Sequence, residues 1–161
     1  AGDWAGDAVS LVGDLDGDGL AELLVGAPGA DDGATDGGAA WRVSGASIAA
    51  GGDVTDADGA FVWPGAAGWA GMAVGGDADF ALVGVPADGT LGYGAGAVWQ
   101  LAWSGDTEVA GAAGLVYHGD DADAHAGVGV VPLADLDGEG GAFATGAPGF
   151  DHGRGAVYVA P

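Results

Sequence analysis

The chain has 161 residues, of which 49% are apolar, enough for one domain with a real core. Its 24 acidic residues face only Arg42 and Arg154, with no Lys, for a formal net charge of −22. Such a surface repels phosphate backbones and anionic membranes, which excludes nucleic acid and lipid surfaces as partners, while the absence of Cys excludes disulfides and thiolate metal sites.

Gly is abundant without a period of three, and Val and Trp occur in short runs broken by Gly, Pro and Asp. That pattern predicts many short strands. No apolar run approaches the length of a membrane span. The start, "AGDWAGDAVS", has neither the basic beginning nor the apolar middle of a signal peptide, as a mature or excised chain would also lack them.

In chain order, the first unit opens with "WAGDAV" (Trp4 to Val9) and a short strand, "AVSLV". "GDLDGDGLAELLVGAP" (Gly13 to Pro28) follows, with Asp14, Asp16, Asp18 and Glu22 crowded ahead of an apolar run. Asp-Gly pairs suit a tight turn between strands, and alternating acids in a tight loop also suit a cation. Like charges about 4 Å apart repel by roughly 4 kcal/mol per pair at an effective dielectric near 20, so an ion would relieve the cluster. The spacing satisfies an EF-hand as far as Gly19, but Val25 stands where that motif needs a bidentate Glu, and the flanks read as strands. The unit continues through "ELLVGA", apolar throughout as befits a strand covered on both faces, to "AAWRV" and "AFVWPG".

The same phrases return about sixty residues later, within the range of propeller blades. The second unit has "WAGMAV", "VGVPADG", "AGAVWQL" and "GLVYHG"; the third has "HAGVGV", "TGAPGFD" and "RGAVYVA" and no fourth strand. Four strands per unit make a propeller blade. The expectation is an all-β chain of about three blades of four-stranded antiparallel sheet, an incomplete propeller unless oligomeric. Blade one covers 1–65, blade two 66–122 and blade three 123–161, the last without its outer strand.

Taken together, these ordered phrases resemble the FG-GAP repeat of integrin alpha-subunit propellers, in its bacterial variety. The resemblance implies that the acidic loop joins the first two strands of a blade and binds calcium. Carried over residue by residue, the ligands are Asp14, Asp16, Asp18 and Glu22, with Leu20 giving its backbone carbonyl. The third loop keeps Asp135, Asp137 and Glu139, with Gly141 at the carbonyl position, and forms a weaker candidate. It is one residue shorter, and Phe143 falls at its ninth position. In the second unit Asp77 and Asp79 read as a plain turn.

His118, His125 and His152 match no zinc spacing and read as surface or turn residues. Trp41, Trp63 and Trp99 are expected to pack between blades, and Trp4 and Trp69, which precede equivalent "AG" pairs, to share a structural role. Nothing assembles a nucleophile with its base, so the chain reads as a non-enzyme. The resemblance implies an extracellular scaffold for adhesion or protein contact; a carbohydrate-binding accessory module and a bare self-assembling fragment, natural or designed, are the alternatives. A homo-oligomer, or the remainder of a longer propeller, is the expected partner, and a protein or glycan the expected ligand. The acids outside the loops read as the surface bias of a protein from a salty environment.

Overall fold

The computed structural model describes residues 2–102, 108–109, 114–133 and 141–160. Three sheets follow the three units. The first holds β1 (Ala8–Leu11), β2 (Leu23–Ala27), β3 (Ala39–Val43) and β4 (Gly59–Val62), paired antiparallel in that order. The second holds β5 (Val74–Gly76), β6 (Phe80–Val85), β7 (Ala97–Ala102) and β9 (Gly114–His118), also antiparallel. The third is β10 (Gly129–Pro132), β11 (Phe143–Ala147) and β12 (Ala156–Ala160). These are partial β-propeller blades, as the repeats predict. Two details are new. A two-residue strand from the second unit, β8 (Glu108–Val109), adds to the outer edge of β4 in parallel. A short helix, α1 (Gly45–Ala49), and a 3-10 turn at Val54–Asp56 occupy the link between β3 and β4.

Burial explains why the middle sheet reads as apolar and why β1 and β12 alternate; β2 is buried too, since Trp41 of its own sheet packs on the face that no blade covers. All six residues of β6 are buried, because blades lie against both of its faces. With a side-chain period of two, Ala81, Val83 and Val85 join Trp99 and Leu101 against Leu24, Ala40 and Phe61 of blade one. Phe80, Leu82 and Val98 face the other way, onto Phe143 and Val130 of blade three. In β1 and β12 the pattern alternates instead, since only one face of each end sheet is covered by the chain. The inner strand β5 packs between β1 and β10.

Tryptophan packing follows the expectation in part. Trp63 and Trp99 meet edge to face across blades one and two, 4.8 Å between ring centres at 69°. Such a contact contributes about 0.5–1.5 kcal/mol beyond area burial. Trp41, by contrast, packs on Ala27, Ala30 and Ala39 of its own blade. It occupies the register position of Trp99, opposite Val25 as Trp99 is opposite Val83, and so points to the side of blade one where the chain places no blade. Trp4, Trp69 and His125 share one left-handed conformation, at φ 53°, 56° and 53°, which gives the "AG" starts their common structural role.

Candidate metal centre

The acidic loop spans the gap between β1 and β2, as the sequence predicts. Its base is fixed by the backbone: Val12 N donates to Glu22 O at 3.0 Å and Glu22 N to Gly13 O at 2.9 Å. Between those bonds the chain curls through Gly17 and Gly19, both left-handed at φ 81° and 89°. The carboxylates hold the curl by accepting backbone N–H groups. Asp14 accepts from Gly17 (2.7 Å) and Gly19 (2.9 Å), Asp16 from Asp18 (3.0 Å) and Asp18 from Leu20 (2.8 Å).

Glu22 differs from the other three. It is 1% exposed, whereas Asp14, Asp16 and Asp18 are open to solvent. Its carboxylate accepts from Leu15 N at 2.5 Å and from Gly45 N, at the start of α1, at 3.4 Å. Among the described residues no basic side chain forms an ion pair with it. One carboxylate oxygen from each of Asp14, Asp16, Asp18 and Glu22 lies within 4.8 Å of the others. An all-oxygen, anionic donor set suits a hard cation. Two ligands on one calcium at about 2.3–2.6 Å are separated by at most about 4.6–5.2 Å, so the spread fits that ion.

The other loops lack this floor. By strand register, Phe80 occupies the place of Glu22 in blade two, where Asp77 N donates to Phe80 O as Val12 N does to Glu22 O. Asp77 closes a tight turn by accepting from Asp79 N (2.8 Å) and Phe80 N (3.2 Å), the plain turn expected there. In blade three, Leu133 N donates to Ala142 O, which puts Ala142 and not Phe143 at the Glu22 position. The missing residue lies before this point, so counting along the loop overshoots by one. Asp135, Asp137 and Glu139 lie outside the described residues. Gly141 is described, and its carbonyl accepts from Gln100 Nε2 at 2.8 Å.

Residues 5–41 match the family model of the FG-GAP repeat. That span contains β1, the acidic loop, β2 and the first part of β3, so the repeat named from the motifs is the one that carries the carboxylate cluster. No curated protein matches the chain. Among the described residues no helix is long and apolar enough to cross a membrane.

One polar pair escapes the sequence reading. Asp88, 5% exposed, meets His118 Nδ1 at 3.0 Å and accepts from the Thr90 hydroxyl at 2.7 Å. The matching positions of the first unit hold Ala30 and Val62, by the bonds Gly38 N to Ala30 O and Gly96 N to Asp88 O and by the pairing of β3 with β4 and of β7 with β9. Aligning the units residue by residue exposes this substitution; reading the phrases alone does not. His125 Nδ1 lies 3.1 Å from Pro86 O, and His152 is exposed beside Asp151, so the three histidines are dispersed.

Proposed function

We propose that this chain is a non-catalytic, calcium-stabilised propeller module of the extracellular space, serving protein contact or adhesion. The observation that carries the reading is Glu22: a buried carboxylate without a basic partner among the described residues, at the floor of a ring of three more. Leaving such a charge uncompensated costs several kcal/mol, and a divalent cation offsets it. Asp14, Asp16, Asp18 and Glu22 are the side-chain ligands and Leu20 supplies a backbone carbonyl. Bound calcium crosslinks β1, β2 and, through Glu22 and Gly45, the start of α1. Extracellular calcium modules work at weak affinities, roughly 10⁻⁴–10⁻³ M, which three exposed ligands in a glycine-rich loop suit.

Calorimetric titration of the chelated chain with calcium, and separately with magnesium, tests this. The expected result is calcium binding at one site with a rise in Tm, lost in Glu22→Gln. A further, weaker equivalent would come from Asp135, Asp137 and Glu139. No heat and no change in Tm would sink the calcium reading. A glycan array run on the same sample separates protein contact from carbohydrate binding.

A further inference from the structure

The two junctions between consecutive blades are built alike. At the first, Ala67 N donates to Thr35 O (2.9 Å), Trp69 N to Asp36 O (3.3 Å) and Ala70 N to Gly37 O (2.9 Å). At the second, Asp123 N donates to Tyr93 O (2.8 Å), His125 N to Gly94 O (2.9 Å) and Ala126 N to Ala95 O (3.0 Å). The close approaches repeat as well. A Cβ on Gly26 would lie 2.0 Å from Gly71 O, and one on Gly84 2.0 Å from Gly127 O. Positions in the two junctions therefore match one to one.

Two of the matched positions differ in chemistry. Tyr117 of β9 stands opposite Val98 as Phe61 of β4 stands opposite Ala40. Tyr158 of β12 stands opposite Thr145 as Trp99 of β7 stands opposite Val83. The first junction thus packs Phe61 with Trp99 in one apolar cluster. The second sets two phenols against each other, the ring centres of Tyr117 and Tyr158 5.4 Å apart and their planes tilted by 51°. Phe143 meets Tyr117 edge on at 6.3 Å, and Phe150 meets Tyr158 edge on at 6.0 Å, so each ring is held in place by a neighbour of its own. The third tyrosine of the chain, Tyr93, stands on a turn and is 85% exposed.

Packing alone does not call for a hydroxyl at these positions, as Phe61 shows. Two adjacent phenols can also join. A phenol gives an electron and a proton to a one-electron oxidant, and the resulting radical shares its unpaired electron with the ring carbons ortho to the oxygen. Two such radicals side by side form a carbon–carbon bond between those carbons, and the hydrogens on them move to the oxygens, which restores both rings. In sum two electrons and two protons leave the pair, and they reduce one hydrogen peroxide to water. The ring centres are separated by little more than two joined rings would require. Both rings are half-buried, which leaves an edge open to oxidant and denies a second chain the approach that each radical offers its neighbour. The negative charge of Asp120 acts on both phenols and favours loss of an electron from either.

We infer that Tyr117 and Tyr158 form an oxidative cross-linking site, at which hydrogen peroxide and a haem peroxidase join β9 of blade two to β12 of blade three as a dityrosine. In a chain without Cys, this is a covalent staple of the kind that disulfides give other extracellular domains. The inference rests on the extracellular reading above only for the source of peroxide, and not on calcium.

Oxidation of the dilute, chelated chain by a haem peroxidase and hydrogen peroxide is the test, read by denaturing electrophoresis, intact mass and peptide mapping. A product of single-chain size is expected, lighter by two hydrogens, with dityrosine fluorescence and with the peptides carrying Tyr117 and Tyr158 linked. Its Tm should rise, because the cross-link closes a loop of the unfolded chain. Tyr117→Phe and Tyr158→Phe keep the ring packing and should each abolish this product, whereas Tyr93→Phe should leave it. Oxidation in denaturant, where the two rings are no longer held together, should lose the selectivity. Coupling only between chains through Tyr93 overturns the inference, as does an intrachain product that survives Tyr117→Phe, or a folded chain that forms no dityrosine. All of these are read in chelator, so they leave the metal reading standing or falling by its own titration.

Discussion

Blades one and two share strand register but differ where the first two strands meet. In blade one that point is Glu22, buried under a glycine-rich loop of acids; in blade two it is Phe80, 5% exposed and packed on Leu82, Val98 and Phe143. A carboxylate and a phenyl ring therefore occupy the same place in one fold. The ring satisfies the position by packing on blade three. The carboxylate cannot do that, and it brings a detour of backbone donors and further acids over residues 13–21. The comparison teaches that the loop is the environment Glu22 requires, and that the sheet itself does not demand it.

The largest expected effect comes from exchanging the two positions one way only. Phe80→Glu puts a buried charge where Asp77 and Asp79 leave no room for a ligand loop, and should destabilise the chain by about 3–5 kcal/mol. Chemical denaturation measures it. A cost under about 1 kcal/mol would mean that burial of Glu22 signifies nothing about an ion.

Calcium itself comes next. At a hundredfold excess over its dissociation constant, a ligand specific to the folded state adds about 2.7 kcal/mol, or roughly 5–10 °C in Tm for a chain of this size. Differential scanning with calcium against chelator should show that shift in the parent chain and none in Glu22→Gln. Phe80→Leu, the corresponding change in blade two, should leave the calcium shift intact.

A smaller effect, with a change of sign, distinguishes loop from turn. Replacing Asp14, Asp16 and Asp18 together by Asn should raise Tm in chelator at low salt, because like charges no longer face each other, and lower it in calcium. High sodium chloride should erase the first difference. If the triple variant loses stability in both media, the acids serve the turn through their backbone bonds and not the ion.

The smallest effect is a control on the far side of blade two. Burial, aided by the negative charge of Asp120, pushes the phenols of Tyr117 and Tyr158 above the ordinary tyrosine value. The folded state then keeps protons that the unfolded chain releases, so this contribution is intact below about pH 10 and is lost as pH rises beyond it. Ultraviolet titration should find phenolate forming later in the native chain than in denaturant. Neither phenol belongs to the acidic loop, so the calcium shift should not follow this titration.

Much of this was legible because the repeats are. The phrases around Val25, Val83 and Thr145 mark the second strand of each blade, and the apolar run "ELLVGA" signalled a strand covered on both sides. Legibility failed where the units diverge. Gly45–Ala49 is too short for an apolar stripe, so α1 left no periodic trace. Ala142 was displaced by one because spacing tells that a residue is missing but not where. Position nine of the first loop was visible as Glu22; its burial, and its bond to Gly45 twenty-three residues on, were not, since both depend on α1 folding back over the loop. Asp88 and His118 are far apart in sequence and meet only through the pairing of β7 with β9.

The junction between blades has a consequence for how such a chain tolerates change. Its bonds run from backbone to backbone, so most of the residues that make them are free to vary, and two of three do: Ala67 and Trp69 at one junction are Asp123 and His125 at the next, while Ala70 and Ala126 are alike. What cannot drift is the absence of a side chain at Gly26 and Gly84, where a methyl group would strike a carbonyl. Mutational scanning of this chain should therefore find its most intolerant positions among residues with no chemistry of their own, and a blade copied within or between such genes would arrive already able to dock.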